Sequence, residues 1–260
     1  CERYRTVRRQ GRQAMTVRVT GIYCHPIKGI GREALDAVDL EAQAPLPGDR
    51  AWAVLHQNAA EDSAVWQPRR NFLVVASGPR LAQVVSASLP DGRISVTHPD
   101  AAPLIFDPAT EGEALLAWAK PLWPEERPAP TRLVKAPEQG MADNGEAQVA
   151  ILNLSSLRAL SEKVGKPLQI ERFRGNLIVD GLPPWGEFDL VGKTIRIGAA
   201  SFSVTERIER CRATEASPET GTRDADTLRA LEDGWGHRDF GIYATVTEGG
   251  RVAVGDLVVE

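Results

Sequence analysis

The chain has 260 residues, 31 Lys plus Arg against 35 Asp plus Glu, and a formal net charge of −4 at pH 7. That balance argues against a nucleic-acid partner, while leaving room for local basic clefts. No apolar run approaches the roughly 20 residues that cross a membrane, and three cysteines (Cys1, Cys24 and Cys211) without a Cys-x-x-Cys spacing point to a reducing cytoplasm.

Residues 1–14 carry five arginines and almost no apolar periodicity, so a disordered extension is expected before a second start at Met15. From Met15 to Phe106 the pattern is mostly strand: Val17–Ile22, Ala51–Leu55, Phe72–Val75 and Arg93–Thr97, with Pro90-Asp91-Gly92 as a hairpin turn. Thr110-Glu111-Gly112-Glu113 has the form of a capping box and opens a short helix through Leu115, Leu116 and Trp118, which stops at Pro121. Pro121, Pro124, Pro128, Pro130 and Pro137 mark a connecting segment that cannot join a central sheet, and the domain boundary is placed near residue 130. A second helix follows, with Ser155 or Ser156 as N-cap, Leu157, Leu160 and Val164 on one face and Gly165 as the stop. Leu177–Val179, Thr194–Ile197, Phe202–Thr205, Tyr243–Val246 and Val252–Val254 then alternate like barrel strands, with Gly249-Gly250 as the last hairpin and one more short helix among them. The fold class expected is mainly β with a few short helices.

Cys211 stands between Arg210 and Arg212. At period two, Phe202, Val204 and Ile208 share one strand face and Thr205, Arg207, Glu209 and Cys211 the other, unless a β-bulge inverts the order. Flanking cations favour thiolate, the form that attacks electrophiles and binds soft metals, and a half-buried structural cysteine is the plain alternative.

Arg-Cys-Arg-Ala-Thr at 210–214, Ser217-Pro218-Glu219-Thr220-Gly221, Asp239-Phe240-Gly241-Ile242-Tyr243 and Arg251–Asp256 together resemble the MOSC domain, named after the molybdenum cofactor sulfurase C-terminal domain. His25-Pro26-Ile27-Lys28 and Gly48-Asp49-Arg50-Ala51-Trp52 resemble the N-terminal β-barrel that accompanies MOSC in the amidoxime-reducing proteins and their bacterial relatives. Phe173-Arg174-Gly175-Asn176 resembles that family's Phe-Arg-x-Asn strand. The resemblance implies an N-terminal β-barrel over residues 15–130 and a MOSC β-barrel over 131–260. It implies a molybdenum cofactor, molybdopterin, held between them, with Cys211 as metal ligand and catalytic residue. Lys28, Arg50, Arg69, Arg174 and Asn176 are then the cofactor-binding residues, with Arg70 a further candidate. Nothing supports a pyridoxal phosphate role. Gly29 departs from the family pattern, in which many relatives have serine after the lysine, and no small hydroxyl-bearing segment stands at Ala147–Ala150 unless Ser155 or Ser156 replaces it.

Three readings follow. In the first, the chain is an oxidoreductase that reduces N-hydroxylated small molecules; no cysteines for a fused iron–sulfur domain are present, so its electrons come from a separate donor protein, a reductase or ferredoxin-like partner. In the second it is a non-catalytic carrier of cofactor or sulfur on Cys211. In the third it is a cysteine-dependent hydrolase or transferase that pairs Cys211 with His237.

Overall fold

The computed structural model describes residues 16–59 and 65–260. The extension expected over residues 1–14 lies outside the described residues. Sixteen strands are found among them: β1 (Arg18–Cys24), β2 (Ile27–Lys28), β3 (Glu33–Leu35), β4 (Ala37–Leu40), β5 (Trp52–His56), β6 (Val85–Ser88), β7 (Ile94–His98), β8 (Ala101–Phe106), β9 (Pro130–Lys135), β10 (Val149–Asn153), β11 (Leu177–Asp180), β12 (Thr194–Ile197), β13 (Ala200–Glu209), β14 (Asp239–Glu248), β15 (Gly250–Ala253) and β16 (Val258–Val259). Three α-helices accompany them, α1 (Gly112–Ala119), α2 (Leu154–Val164) and α3 (Thr227–Trp235). The chain is therefore mainly β, as its alternating pattern implies.

The largest sheet has eight strands in the order β16-β12-β13-β14-β10-β11-β1-β3. Alternation explains its filling: Phe202 and Val204 on β13, Ile242, Ala244 and Val246 on β14, and Ile195 and Ile197 on β12 all bury in one core with Val19 and Ile22 of β1. A second core lies under β6-β7-β8, α1 and the 3₁₀ turn at Pro79–Gln83, where Leu81, Ile94, Val96, Phe106 and Leu115 meet. The third sheet, β2-β5-β9, joins the two regions, and its edge strand β9 begins at Pro130, the position in a sheet that proline tolerates.

Hydrogen bonding crosses the boundary placed near residue 130 in both directions. β1 pairs with β11, β4 with β15, and β9 with β5. The two compositional halves are thus tied by strands, which fixes the walls of any cleft between them.

Local chemistry departs from the sequence pattern in several places. Phe72–Val75 forms no strand; only an isolated bridge from Phe72 to Leu55 remains, and the segment turns beneath the cleft. No capping box closes at α1, because Thr110 donates to Asp107 and Glu111 accepts from the Asp107 amide instead. Asn153, not Ser155 or Ser156, caps α2, accepting from the Ser155 amide at 3.0 Å. Gly249-Gly250 does not make a hairpin between neighbours: β15 leaves the large sheet to pair with β4, and a Cβ at Gly249 would lie 2.7 Å from the Leu40 carbonyl oxygen.

Candidate functional site

Residues from both halves surround one cavity of about 990 Å³, its mouth included. Lys28, Arg50, Arg69, Arg174, Asn176 and Cys211, separated by up to 183 positions in the chain, all line it. Arg70 does not; it belongs to an adjoining groove. The cavity wall carries six cationic side chains, the four expected ones, Lys28, Arg50, Arg69 and Arg174, joined by Arg172 and Arg210, against the carboxylates of Asp143 and Glu209.

Lys28 reaches this wall from β2, where pairing with β5 buries it to 3% exposure. Its ammonium donates to the Met141 carbonyl at 2.6 Å and forms an ion pair with Asp143. Burial pushes the Lys28 pKa down, partly offset by the Asp143 charge. Asp143 is held below its ordinary value: burial works to raise it, but the Lys28 charge and hydrogen bond outweigh that.

Gly29 follows with φ of +74°, and a Cβ there would stand 2.3 Å from the Leu73 carbonyl oxygen. Serine has no room at this position, which accounts for the departure from the family pattern. Gly29→Ser is expected to destabilise the fold by about 2 kcal/mol or more, through backbone strain and overpacking. A denaturant midpoint equal to the parent's would refute this.

Among the described residues, Arg50 and Arg174 are two of the four non-glycine residues in the left-handed region, at φ of +52° and +48°. Such strain persists only where surroundings enforce it, and it concentrates at functional sites. Arg50 closes the turn after Gly48-Asp49; its guanidinium forms an ion pair with Asp49 and donates to the Arg174 carbonyl at 2.9 Å. Arg174 is not within a strand: it ends the 3₁₀ turn Ile170–Phe173, and β11 starts three residues later. Its Nη1 donates to the Gly31 carbonyl at 3.1 Å, while Nη2 is buried without a partner among the described residues. Arg172 likewise keeps a buried, unpartnered Nη2, although its other groups bond Gln169, Glu215 and Asp224. Burial and then the Arg50 charge push Arg174 down to about 9, so it is still protonated at neutral pH but in an electrostatically costly place.

Behind Arg50 lies a fully buried pair. Asp49 accepts from the His25 amide at 2.8 Å and from its ring Nδ1 at 3.3 Å. Burial, then the Arg174 charge, lowers His25 to about 3. Asp49 is held below the usual carboxylate range: burial opposes ionisation, but Arg50 and His25 more than compensate. A buried neutral imidazole stabilises the fold fully above the unfolded value of about 6.5, and the contribution falls as pH drops toward 3 because the unfolded chain then binds the extra proton. Stability should decline by about 2–3 kcal/mol between pH 6.5 and 4 from this group alone. Urea unfolding of the parent and of His25→Gln across that window checks it; identical pH slopes in the two proteins would sink the assignment.

Cys211 follows the last residues of β13, whose pairing with β14 shifts register between Val204 and Glu206 and again between Arg207 and Glu209. These bulges carry four consecutive residues, Ile208 to Cys211, along the cavity wall. Cys211 is a free, half-buried thiol at the head of the 3₁₀ turn Arg212–Glu215. Thr214 holds the backbone there by donating its amide and hydroxyl to the Cys211 carbonyl at 3.2 and 3.1 Å. Of the two flanking arginines only Arg210 faces the cavity; it donates to the carbonyls of Phe240 and Phe173, and burial lowers it to about 10. Arg212 turns outward to Glu215.

Asn176 lines the cavity while its amide ties three strands: Oδ1 accepts from the Ala150 amide at 3.0 Å and Nδ2 donates to the Tyr23 carbonyl at 3.2 Å. Ser156 bonds Glu187, and Ser155 bonds Asp180, so neither serves the cavity. His237 is absent from the lining and sits edge-on to Trp185 and Phe188, with Nδ1 accepting from the Asp239 amide, which removes the base required by the hydrolase reading. Asp143, Gln148 and Arg172 line the cavity from outside the quoted motifs, and Arg210, Thr214 and Tyr243 stand within motifs but were given no cavity role. Arg210 and Thr214 were adjacent in sequence to a recognised cysteine; Asp143, in a polar loop, carried no local signal.

Comparison with known proteins agrees with this architecture. A family model described as "MOSC N-terminal beta barrel domain" matches residues 16–120, and one described as "MOSC domain" matches residues 131–259. The "Molybdenum cofactor sulfurase" of Anopheles gambiae is 31% identical over 121 residues, covering 42% of this chain and 16% of that protein. Its namesake in Drosophila willistoni is 34% identical over 101 residues, covering 38% of this chain and 12% of that protein. The chain thus spans a small part of the length of these relatives. Among solved structures, the YUAD protein from Bacillus subtilis aligns over 94% of both chains with a TM-score of 0.43 and 14% identity. With both domain types matched in order on the segments that build the cavity, the chain belongs to the MOSC-domain family, with a MOSC N-terminal β-barrel domain preceding its MOSC domain.

Proposed function

We propose that this chain binds a molybdenum–pterin cofactor in the cavity, with Cys211 as metal ligand, and reduces N-hydroxylated small molecules with electrons from a separate donor protein. The observation that supports it is the meeting of a free thiol with six cations in one cavity, two of them carrying buried N–H groups without partners. Buried unpartnered donors on guanidinium groups are costly, and a phosphate satisfies them with charge-assisted, bidentate bonds. A thiolate is a ligand of the soft kind that such a metal accepts. The donor set therefore fits the cofactor that the sulfurase relatives' name and the MOSC family suggest.

When bound, molybdenum supplies two-electron oxygen-abstraction chemistry, in which an N–OH compound, two electrons and two protons give the N–H compound and water. The chain's own residues orient and charge the site. Arg50, Arg174 and Lys28 hold the anionic end of the cofactor, and Arg69 adds charge at the mouth. A phosphate at Lys28 competes with Asp143, its present partner. Arg210, fixed by two main-chain carbonyls, keeps a positive charge beside Cys211 without side-chain rearrangement. Burial raises the Tyr243 pKa despite the lowering effect of Arg210, so its hydroxyl keeps its proton and serves the cavity as a donor at Oη.

Expression in a host that makes the cofactor, followed by metal and pterin analysis, tests the reading. Near-equimolar molybdenum and pterin with turnover of benzamidoxime under a chemical reductant is the expected result. Loaded protein that is inactive across a panel of N-hydroxylated compounds would favour the carrier role, and protein without molybdenum would overturn both.

A further inference from the structure

A second, more open groove adjoins the cavity and shares Cys211, Arg69, Val74 and Ala76 with it. Cys211 therefore has two approaches, one lined by the buried cations and one from the surface. The second groove is walled by Arg69, Arg70, Arg127, Arg212 and His56, with no carboxylate among its described lining residues. This runs against the chain as a whole, which holds more acidic than basic residues. Arg70 and Arg127 are exposed and make no ion pair among the described residues, whereas Arg212 is partly neutralised by Glu215 and Arg69 by a distant Asp143. His56 steadies the wall: its Nε2 donates to the Arg70 carbonyl at 2.7 Å while Nδ1 accepts from the Asn58 amide at 3.3 Å.

We propose that this groove is the substrate vestibule and that it selects N-hydroxylated compounds bearing a carboxylate or phosphate, which Arg70 and Arg127 recognise while the N-hydroxyl end reaches the Cys211 side. The substrate part rests on the oxidoreductase reading above; the anion preference of the groove stands on its own geometry. A low-dielectric rim beside concentrated positive charge raises the local concentration of anions and falls in effect with salt. Arginine is suited to the task because its planar fork binds carboxylate and phosphate through paired N–H groups. Solvent screening keeps each exposed arginine's share modest, so an effect of about threefold to tenfold is expected from the pair.

Two measurements judge the proposal. On the full chain without cofactor, the rates of Cys211 alkylation by iodoacetate and by iodoacetamide are read by peptide mass spectrometry, with glutathione as reference thiol. The anion-to-neutral ratio should exceed the reference, fall by about threefold to tenfold in Arg70→Ser/Arg127→Ser, and collapse in the parent as salt is raised. A ratio that is indifferent both to the two substitutions and to salt would overturn the vestibule. On cofactor-loaded protein with a chemical reductant, kcat/KM for 4-carboxybenzamidoxime should exceed that for benzamidoxime by a similar factor, and the double substitution should remove the difference. Equal values for the two compounds in the parent overturn the substrate class. Inactivity on both compounds with an intact alkylation ratio refutes the oxidoreductase reading and leaves the groove's anion preference supported. Unchanged ratios in both measurements, with slower electron delivery from an acidic ferredoxin, would make the groove a protein-docking face and overturn the proposal.

Discussion

Replacing Cys211 by serine is expected to reduce turnover of a model N-hydroxylated compound by at least about 10³-fold while leaving the fold intact. The magnitude follows from removing a metal ligand rather than a bystander: a hard, weakly acidic hydroxyl replaces a soft thiolate, and a loss of about 4 kcal/mol in transition-state stabilisation corresponds to that factor. Stability should change little, because the thiol is half-buried, makes no disulfide, and its backbone is held by Thr214 whatever the side chain. The phosphate end of the cofactor still meets Arg50 and Arg174, so pterin should be retained at a reduced level. Steady-state rates, pterin fluorescence and a denaturation curve measured on the same preparation separate these effects. Full activity in Cys211→Ser would reduce the cysteine to packing.

Arg174→Ala should lower cofactor retention by about 10- to 100-fold, the range set by losing one or two charge-assisted hydrogen bonds of ~1.5–3 kcal/mol. The cofactor-free protein should respond in the opposite sense. Arg174 is pressed by burial and by Arg50, and its Nη2 finds no partner among the described residues, so its removal relieves repulsion even as the bond to the Gly31 carbonyl is lost. A cofactor-free Arg174→Ala protein as stable as the parent or more so, together with poor retention of molybdenum and pterin, is the signature of a binding residue. Lower stability with undiminished retention would instead mark Arg174 as a structural tie between the two halves. The left-handed φ of residue 174 is a cost that alanine shares, so the comparison reports mainly on the side chain.

Much of this molecule is written locally. Alternation of apolar and polar residues in Thr194–Ile197, Phe202–Thr205 and Tyr243–Val246 is enough to identify strands, since a period of two buries one face against a core. Helix α2 was readable from Leu157 and Leu160 and from Gly165, whose φ of +81° closes it. Phe72–Val75 was misleading because a continuous apolar run is equally at home in a buried loop; Leu73 and Val75 are buried without joining a sheet. The thiol and the basic residues Lys28, Arg50 and Arg174 were visible in motifs, with Arg69 a candidate outside them, yet no spacing in the chain says that they face one another.

What the sequence by itself determined is the inventory: a mainly β chain of the MOSC family, a cysteine between arginines, and separate basic motifs in each half. Their convergence was decided by tertiary structure, through β1 pairing with β11 and β2 with β5, which bring Lys28 and Arg50 into one cavity with Arg174 and Cys211. The same holds for Asp143, which becomes a partner of Lys28 across 115 residues, and for Arg210, which is aimed by the carbonyls of Phe173 and Phe240. Local propensity acts over a few residues, whereas charges act through space. Which cations share a cavity is therefore set by strand register and bulges, and those depend on the packing of the whole sheet.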